Sequence, residues 1–273
     1  MVKFAPIMDR NRHIDIMGIV NVNDDSFFEG SRVRELDAAL GRIGAMLDDG
    51  ATIIDIGACS TRPGSAAVGA EEEWRRLEPV LEAVKESYPG VCISVDTYWS
   101  EVVRKSYDLI GDFIVNDISS GLMDEQMLPV VGNHGLKYIA MHMRGTPENM
   151  HMLTDYSDIV GDVLTFFKQL SSKLLKNGIN DWVLDPGFGF AKTIEQNYEM
   201  LSRLEEFQAL GHRVLVGLSR KSMIYKLLDV RPEDTLSATQ TLNFKALQNG
   251  ADILRVHDVK ETVQTLKLYR ILG

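Results

Sequence analysis

Four polar residues that end or follow short apolar runs suit the recognition of a flat, nitrogen-rich ring. Asp96, Asn116 and Asp185 each end such a run, and Lys221 lies just beyond another. A carboxylate can accept two N–H donors from a guanidine-like edge in charge-assisted hydrogen bonds, while an amide and an ammonium group add further donors. The set therefore suits a heterocycle with a fused amide–amidine edge, such as a pterin or a purine.

A second group of residues suits a polyanion. It comprises Arg62, Arg220, Arg255 and His257. Arg255 can instead stack its planar guanidinium on a ring. Lys221 directly precedes a predicted short helix, Ser222–Leu228, at a position where barrels commonly bind phosphate. Asn21 offers a hard oxygen ligand to Mg2+, which usually takes its other ligands from water and substrate phosphates.

These residues must be positioned by eight short apolar runs that alternate with longer amphipathic stretches. The predicted strands cover residues 14–20, 52–56, 91–95, 113–115, 136–141, 182–184, 214–217 and 253–256. Such nearly continuous apolar runs suit strands that are buried on both faces of a parallel sheet. The predicted helices cover 35–49, 71–88, 100–109, 155–176, 195–210, 233–248 and 262–272.

Eight strand–helix units in series predict a single (β/α)8 TIM barrel over residues 1–273, with the active site at the C-terminal ends of its strands. An open, doubly wound sheet is the alternative, but it usually has fewer strands and a glycine-rich first turn, which is absent here. Capping is the structural explanation for Asp96, Asn116 or Asp258 taken singly, because Asp and Asn are favoured helix N-caps. Capping explains less well why all eight strands end in polar groups. His142 is expected to pack rather than to bind a metal.

The composition narrows the possible classes of protein further. The formal net charge is −10, and a nucleic-acid-binding protein usually has a basic surplus or a basic stripe. Two cysteines do not make a disulfide framework. The N-terminal residues lack the apolar run of a signal peptide, and no stretch approaches the ~18 apolar residues of a membrane span. A cytoplasmic location is therefore expected.

Five segments resemble, in order, the signature blocks of dihydropteroate synthases. They are MGIVNVNDDSF at 17–27, DIGACSTRPG at 55–64, DPGFGF at 185–190, SRKS at 219–222 and RVHD at 255–258. The resemblance spans almost the whole chain. It implies a barrel that joins 6-hydroxymethyl-7,8-dihydropterin diphosphate to p-aminobenzoate, giving 7,8-dihydropteroate and diphosphate in folate biosynthesis. It also implies a homodimer formed through outer helices.

The resemblance also implies roles for individual residues. The pterin would be held by Asp96, Asn116, Met141, Asp185, Lys221 and Arg255. The diphosphate would be held by Asn21 with Mg2+, Arg255 and His257. The p-aminobenzoate would be held by Phe27, Thr61, Arg62, Pro63, Phe190, Lys221 and Ser222. The catalytic residues would be Asp96, Asp185, Lys221 and Arg255.

An SN1-like path suits these residues. Mg2+ and cationic side chains take up charge on the departing diphosphate, and the electron-rich dihydropterin spreads the positive charge left on its methylene carbon. Carboxylates at Asp96 and Asp185 favour that cationic state. The arylamine then attacks, so no covalent enzyme intermediate is required.

Three positions depart from the family pattern. Asn23-Asp24 stands where the family usually has Thr-Pro, Ala58-Cys59 where it often has a glycine and an acidic residue, and Glu29 where it usually has Asp. Loss of the proline is expected to loosen the first loop, because proline fixes φ. Two alternatives stay open: a pterin-binding methyltransferase barrel of the tetrahydrofolate–corrinoid kind, and a pterin-binding paralogue without turnover.

Overall fold

The structure is a computed structural model that describes the backbone of residues 12–22, 29–58 and 68–272, and the side chains of these residues except 29–34. Its eight strands are β1 Asp15–Asn21, β2 Ile53–Gly57, β3 Ile93–Asp96, β4 Ile114–Asp117, β5 Lys137–Met141, β6 Trp182–Asp185, β7 Arg213–Val216 and β8 Ile253–Val256. Each strand pairs in parallel with the next, and β8 pairs with β1 to close the barrel. The predicted (β/α)8 barrel is confirmed, with strand ends within two residues of those predicted.

Helices surround the barrel. They are α1 Glu29–Asp49, α2 Ala70–Ser87, α3 Ser100–Ile110, α4 Met127–His134, α5 Ile159–Lys176, α6 Ile194–Ser202, α7 Ser222–Leu228, α8 Leu236–Gln248 and α9 Val259–Leu272. Short 3-10 helices lie at Met150–Met152, Leu204–Leu210 and Pro232–Thr235. Among the described helices, none combines the length and the apolar character needed to cross a membrane.

Several helices differ from the sequence prediction: α1 begins at Glu29 and not at residue 35, α5 begins at Ile159 and not at residue 155, α4 is not predicted, and one predicted helix is interrupted. Helix α4 contains Pro129 and Gly132, which weaken its helical signal; the proline lies in the first turn, where it is tolerated. Gly132 is needed there because a Cβ atom would lie 1.7 Å from the carbonyl oxygen of Asn177. The predicted helix 195–210 is interrupted after α6, where the buried Asn249 amide donates to the carbonyls of Leu201 and Ser202.

In the described part of the chain, two apolar cores follow from the strand pattern, and a third cluster lies at or after the ends of β3, β4, β5 and β6, with Tyr98, Ile118, Met141, Met143, Met150 and Ala191. The larger core lies between the outer face of the barrel and the helices. The smaller one fills the barrel interior and contains Met17, Ile53, Ile139, Leu215 and Ile253, with Ile114 and Val183 packed against it. This inner core fills the barrel below the C-terminal strand ends, so the barrel is not a pore. We call the inner core the apolar floor.

Candidate active site

The polar residues at the barrel mouth belong to the same inward faces as the inner apolar core. Successive side chains on a strand alternate between faces, so residues two apart point the same way. Each polar residue stands two positions after the buried Ser94 or after a residue that belongs to the inner core or packs against it: Asp55 after Ile53, Asp96 after Ser94, Asn116 after Ile114, Asp185 after Val183 and Arg255 after Ile253. We call these five residues the polar layer. It lies one step above the apolar floor.

Arg255 is the centre of the polar layer. Its guanidinium donates to Oδ2 of Asp55 at 2.6 Å and to Oδ2 of Asp96 at 2.7 Å. Asp55 is fully buried and also accepts from the amide nitrogen of Asn116, at 3.2 and 3.3 Å. Strands β2, β3, β4 and β8 are thereby tied together by side chains across the barrel mouth.

Burial and neighbouring charges both shift the pKa values of these groups. Burial raises the pKa of Asp96 to about 7; the Arg255 cation opposes this rise, and the Asp55 carboxylate adds to it. Burial also opposes the charge of Arg255, but Asp55 and Asp96 outweigh it and raise the pKa of the guanidinium above its usual value. Burial raises the pKa of Asp185, against the cation of Lys221. Perturbed carboxylates gathered in one mouth are typical of functional sites.

Asp117 fixes the end of β4 beside Asn116. Its carboxylate, which is fully buried, accepts from the backbone N–H and the hydroxyl of Ser119, the N–H of Gly121 and the hydroxyl of Tyr138, at 2.6 to 2.7 Å. Because four donors hold this side chain, it stabilises the turn after β4 and leaves Asn116 as the inward-facing polar group.

Lys221 reaches the mouth from the segment after β7. Its ammonium donates to the carbonyl of Phe188 and lies 4.9 Å from the ring centre of Phe190. Burial lowers the pKa of Lys221 to about 8, and Asp185 opposes that shift. Lys221 and Phe190, both predicted for the arylamine site, are therefore neighbours, and Ser222 begins helix α7 directly after Lys221.

His257 is oriented by Ser219. The Ser219 hydroxyl oxygen accepts from the backbone N–H of His257 at 3.3 Å and lies 3.0 Å from Nδ1 of the same residue. A serine that accepts the backbone N–H can donate its own proton to Nδ1, which leaves the neutral imidazole proton on Nε2. Arg220, one of the predicted anion binders, instead forms an ion pair with Asp258 at 2.7 Å.

The remaining predicted residues fall into two groups. Asn21 ends β1, is exposed, and pairs in register with Gly57, while Met141 ends β5 and is buried. Phe27, Thr61, Arg62 and Pro63 lie outside the described residues, as do Asn23-Asp24 and Cys59. The structure thus brings together the predicted pterin residues and part of the predicted arylamine site.

Backbone strain is concentrated at the same end of the barrel. In the described segments, four residues other than glycine have positive φ: Ser120, Ala191, Arg220 and Asp229. The first three lie in the connections after β4, β6 and β7, at the mouth. Non-glycine residues in this region of φ are strained, and such strain gathers where a site requires a particular backbone shape.

Residues 17–257 match the family described as pterin binding enzyme. The chain belongs to this family. A dihydropteroate synthase of Escherichia coli (strain K12) is 43% identical to the pterin-binding chain over 258 residues, which cover 94% of this chain and 90% of the relative. The similarity to dihydropteroate synthases inferred from the five sequence blocks is therefore confirmed.

Two solved structures of dihydropteroate synthases show that the similarity includes the fold. The Yersinia pestis dihydropteroate synthase, in complex with a sulfonamide drug, has a TM-score of 0.88 at 40% identity, covering 97% of this chain and 95% of that one. The Xanthomonas albilineans enzyme with 4-aminobenzoic acid has a TM-score of 0.86 at 35% identity, covering 96% and 94%.

The sequence alone assigns no role to Asp55, which lies within the second predicted strand. A signal was present, because Asp55 stands two residues after Ile53 inside an otherwise apolar run. A carboxylate on a strand face that also carries core residues needs a buried partner. Only the structure identifies that partner as Arg255.

Proposed function

We propose that this chain joins 6-hydroxymethyl-7,8-dihydropterin diphosphate to p-aminobenzoate, releasing 7,8-dihydropteroate and diphosphate. The observation that supports the proposal is the polar layer, in which three carboxylates, an amide and a guanidinium converge above an apolar floor. The similarity to enzymes named dihydropteroate synthase supports the same reaction.

The pterin would enter with its guanidine-like edge toward Asp96, Asn116 and Asp185. Both carboxylates are acceptors when ionised, and the buried amide adds a donor and an acceptor. Met141 supplies an apolar contact beside Asp185, its register partner in β6. Arg255 would stack on the ring, and Lys221 would donate to its carbonyl edge. To bind the ring, Asp96 must exchange at least part of its hydrogen bond with Arg255.

The diphosphate would lie at the rim, near His257, Arg255 and Asn21. The Ser219 hydroxyl lies 3.0 Å from Nδ1 of His257 and would orient the imidazole for contact with the diphosphate. Asn21 fits a magnesium site that takes most of its ligands from diphosphate and water, because its amide oxygen is a hard ligand and the side chain is exposed. Bound Mg2+ would neutralise charge on the diphosphate.

The p-aminobenzoate would lie beside Phe190, Lys221 and Ser222, outside the pterin. An aromatic ring can pack on Phe190, and the carboxylate can bind near the N-terminal end of α7, where Ser222 adds a hydroxyl. Phe27, Thr61, Arg62 and Pro63 would complete this site. We propose these four residues from the resemblance alone.

In the reaction, the methylene C–O bond breaks and its electron pair leaves with the diphosphate. The pterin ring shares the resulting positive charge, which Asp96 and Asp185 stabilise as carboxylates. The p-aminobenzoate nitrogen then forms the C–N bond and releases one proton to solvent or diphosphate. The protein contributes orientation and a fixed electrostatic environment, and it needs no nucleophile of its own.

We also propose a homodimer formed through outer helices. Large apolar side chains are exposed on and between α7, α8 and α9, namely Leu227, Leu228, Val230, Leu236, Leu268, Ile271 and Leu272. Apolar patches of this kind often mark a protein interface. Sedimentation of the unchanged chain and of Ile271→Glu tests this proposal; a monomeric unchanged chain would contradict it.

The reaction is tested by continuous detection of diphosphate with both substrates and Mg2+. Omission of p-aminobenzoate, omission of the dihydropterin and addition of a chelator are the three controls. Release that requires both substrates is the expected result. If the chain binds a pterin in calorimetry but releases no diphosphate, it is a pterin-binding protein without this turnover, and the proposed reaction is wrong.

A further inference from the structure

A buried lysine close to the mouth has no role in the proposed reaction. Lys192 lies in loop six, which we define as residues 186–193 between β6 and α6, and it is 9% exposed. Its Nζ atom lies 2.9 Å from the carbonyl oxygens of Gly187 and Phe190, and 3.1 Å from Nδ1 of His142. The carbonyl oxygen of His142 lies farther away, at 3.5 Å.

These contacts satisfy the lysine in either protonation state. Burial lowers the pKa of Lys192 well below its usual value, while Asp185 opposes the shift and Lys221 and Arg144 add to it. Burial, Lys192 and Arg144 lower the pKa of His142 to about 2, so its imidazole is neutral. A charged Lys192 can donate three hydrogen bonds, to the two carbonyls and Nδ1. A neutral one can donate to the carbonyls and accept from Nδ1–H.

The two carbonyls belong to a loop that is tightly packed and contains one strained residue, Ala191. A Cβ atom on Gly187 would lie 2.0 Å from the carbonyl oxygen of His142, so loop six approaches the end of β5 very closely. Gly187 has φ of +72°, and Ala191, next to Lys192, has φ of +49°. A side chain that binds both sides of this approach stabilises a shape that the backbone alone disfavours.

Loop six in turn holds groups of the polar layer and its neighbours. The N–H of Gly187 donates to Asp185 at 2.8 Å, the carbonyl of Phe188 binds the Lys221 ammonium, and the ring of Phe190 lies under the same ammonium. A change in the path of loop six would therefore move the acceptor and the cation that are proposed to bind the pterin.

We propose that Lys192 is a positioning residue for the pterin site, because its Nζ atom binds the carbonyls of Gly187 and Phe190 and thereby holds loop six in the shape that presents Asp185 and Lys221. This inference rests on the proposed function for the identity of its ligand, a pterin. The effect of Lys192 on the shape of loop six is independent of that function. A purely structural role is the alternative. A positioning role predicts that a correctly folded Lys192 variant has a changed loop six and a weaker pterin affinity. A purely structural role predicts that both stay the same in the folded variant.

Four proteins are compared: the unchanged chain, Lys192→Met, Lys192→Arg and Asn249→Ala. Met removes the donors while keeping an unbranched apolar chain, and Arg restores donors. Asn249→Ala is the matched control, because Asn249 is 5% exposed and its amide also binds two carbonyls, those of Leu201 and Ser202, at the opposite end of the barrel. If Lys192→Met does not fold, Lys192→Gln takes its place.

Two readouts are measured on each folded protein. Hydrogen exchange at the amide of Phe190, which donates to the Gly187 carbonyl, reports loop six without any ligand. Calorimetry with 6-hydroxymethylpterin reports the site. For Lys192→Met we expect exchange at Phe190 at least tenfold faster and pterin affinity about tenfold weaker, or about 1.4 kcal/mol. Lys192→Arg is expected to recover most of both, and Asn249→Ala to change neither while still lowering the melting temperature.

The results distinguish a positioning role of Lys192 from a purely structural role, and they distinguish both from a failure of the proposed function. Unchanged exchange and affinity in a destabilised Lys192→Met would show that Lys192 only supports the fold. Equal losses in Asn249→Ala would assign the effect to global instability and would overturn the inference. If the unchanged chain binds no pterin, the proposed function fails. In that case the exchange at Phe190 still decides whether Lys192 holds loop six, and unchanged exchange overturns it.

Discussion

Replacement of Asp55 by Asn tests whether the buried carboxylate controls the charge of Asp96. The substitution keeps the size of the side chain and removes one negative charge from the polar layer. Asp55 and Asp96 each bring one oxygen to the same Nη2 atom of Arg255, at 2.6 and 2.7 Å. The two oxygens are therefore at most roughly 5 Å apart, so the Asp55 carboxylate raises the pKa of Asp96.

The size of the effect follows from this separation. Two like charges about 5 Å apart repel by about 3 kcal/mol at an effective dielectric constant near 20, which corresponds to about two pKa units. The Arg255 cation between them offsets part of that repulsion, so we expect the pKa of Asp96 to fall by about one unit. Loss of the charge-assisted bond to Arg255 should also destabilise the fold by about 1–3 kcal/mol.

The assay is kcat/KM for the dihydropterin diphosphate, measured from about pH 5 to about pH 9. Because Asp96 must be ionised to accept the pterin N–H, activity falls as pH drops through its pKa, which is about 7 in the unchanged chain. In Asp55→Asn this acid limb should move to lower pH by about one unit. An acid limb that stays in place, or moves upward, would show that Asp55 does not control the charge of Asp96.

The control for that experiment is Asp15→Asn. Asp15 is also buried and binds an arginine, Arg213, at 2.7 Å, but it lies at the opposite end of the barrel. It should lose stability without any shift of the acid limb. A shift of the same size in both variants would assign the change to general destabilisation.

Three further predictions concern single groups. Pterin affinity should fall as pH rises through about 8, where Lys221 loses its charge, and calorimetry on Lys221→Met should show weaker affinity without that alkaline fall. Ser219→Ala should raise KM for the diphosphate substrate about fivefold, because His257 loses the hydroxyl that fixes its tautomer, while affinity for a pterin without diphosphate stays the same; a loss of both would contradict this. Burial raises the pKa of the fully buried Glu73 to about 7, so the folded state binds its proton more tightly than the unfolded state and stability is lost as pH rises from about 4.5 to about 7. Glu73→Gln should therefore stabilise the fold by about 1–3 kcal/mol at about pH 8 and change little at about pH 5, and an equal effect at both pH values in denaturant unfolding would contradict this.

The sequence predicts the barrel well because its strands carry a simple signal. Eight apolar runs of similar length with helical stretches between them admit few arrangements, and the strand ends follow directly. Helix α4 shows the limit of this reasoning. Its Pro129 and Gly132 suggest a loop, yet close packing against Asn177 and a proline in the first turn are compatible with a helix.

The sequence predicts only part of the site, because it shows which strand ends carry polar residues but not which partners those residues contact. Asp96, Asn116, Asp185 and Arg255 are recognisable as polar groups at strand ends, and the structure brings them together. The sequence does not reveal which of them bind one another. The contact between Arg255 and Asp55 joins residues 200 positions apart, and the contacts of Lys192 depend on the positive φ angles of loop six.

The most direct test of the pterin site is a crystal structure of the chain with 6-hydroxymethylpterin. We expect the ring to lie above the apolar floor, with its guanidine-like edge within hydrogen-bonding distance of Asp96, Asn116 and Asp185, and with Arg255 on its face. A pterin bound outside the barrel mouth, or a ring in the mouth that leaves both carboxylates without contact, would contradict it.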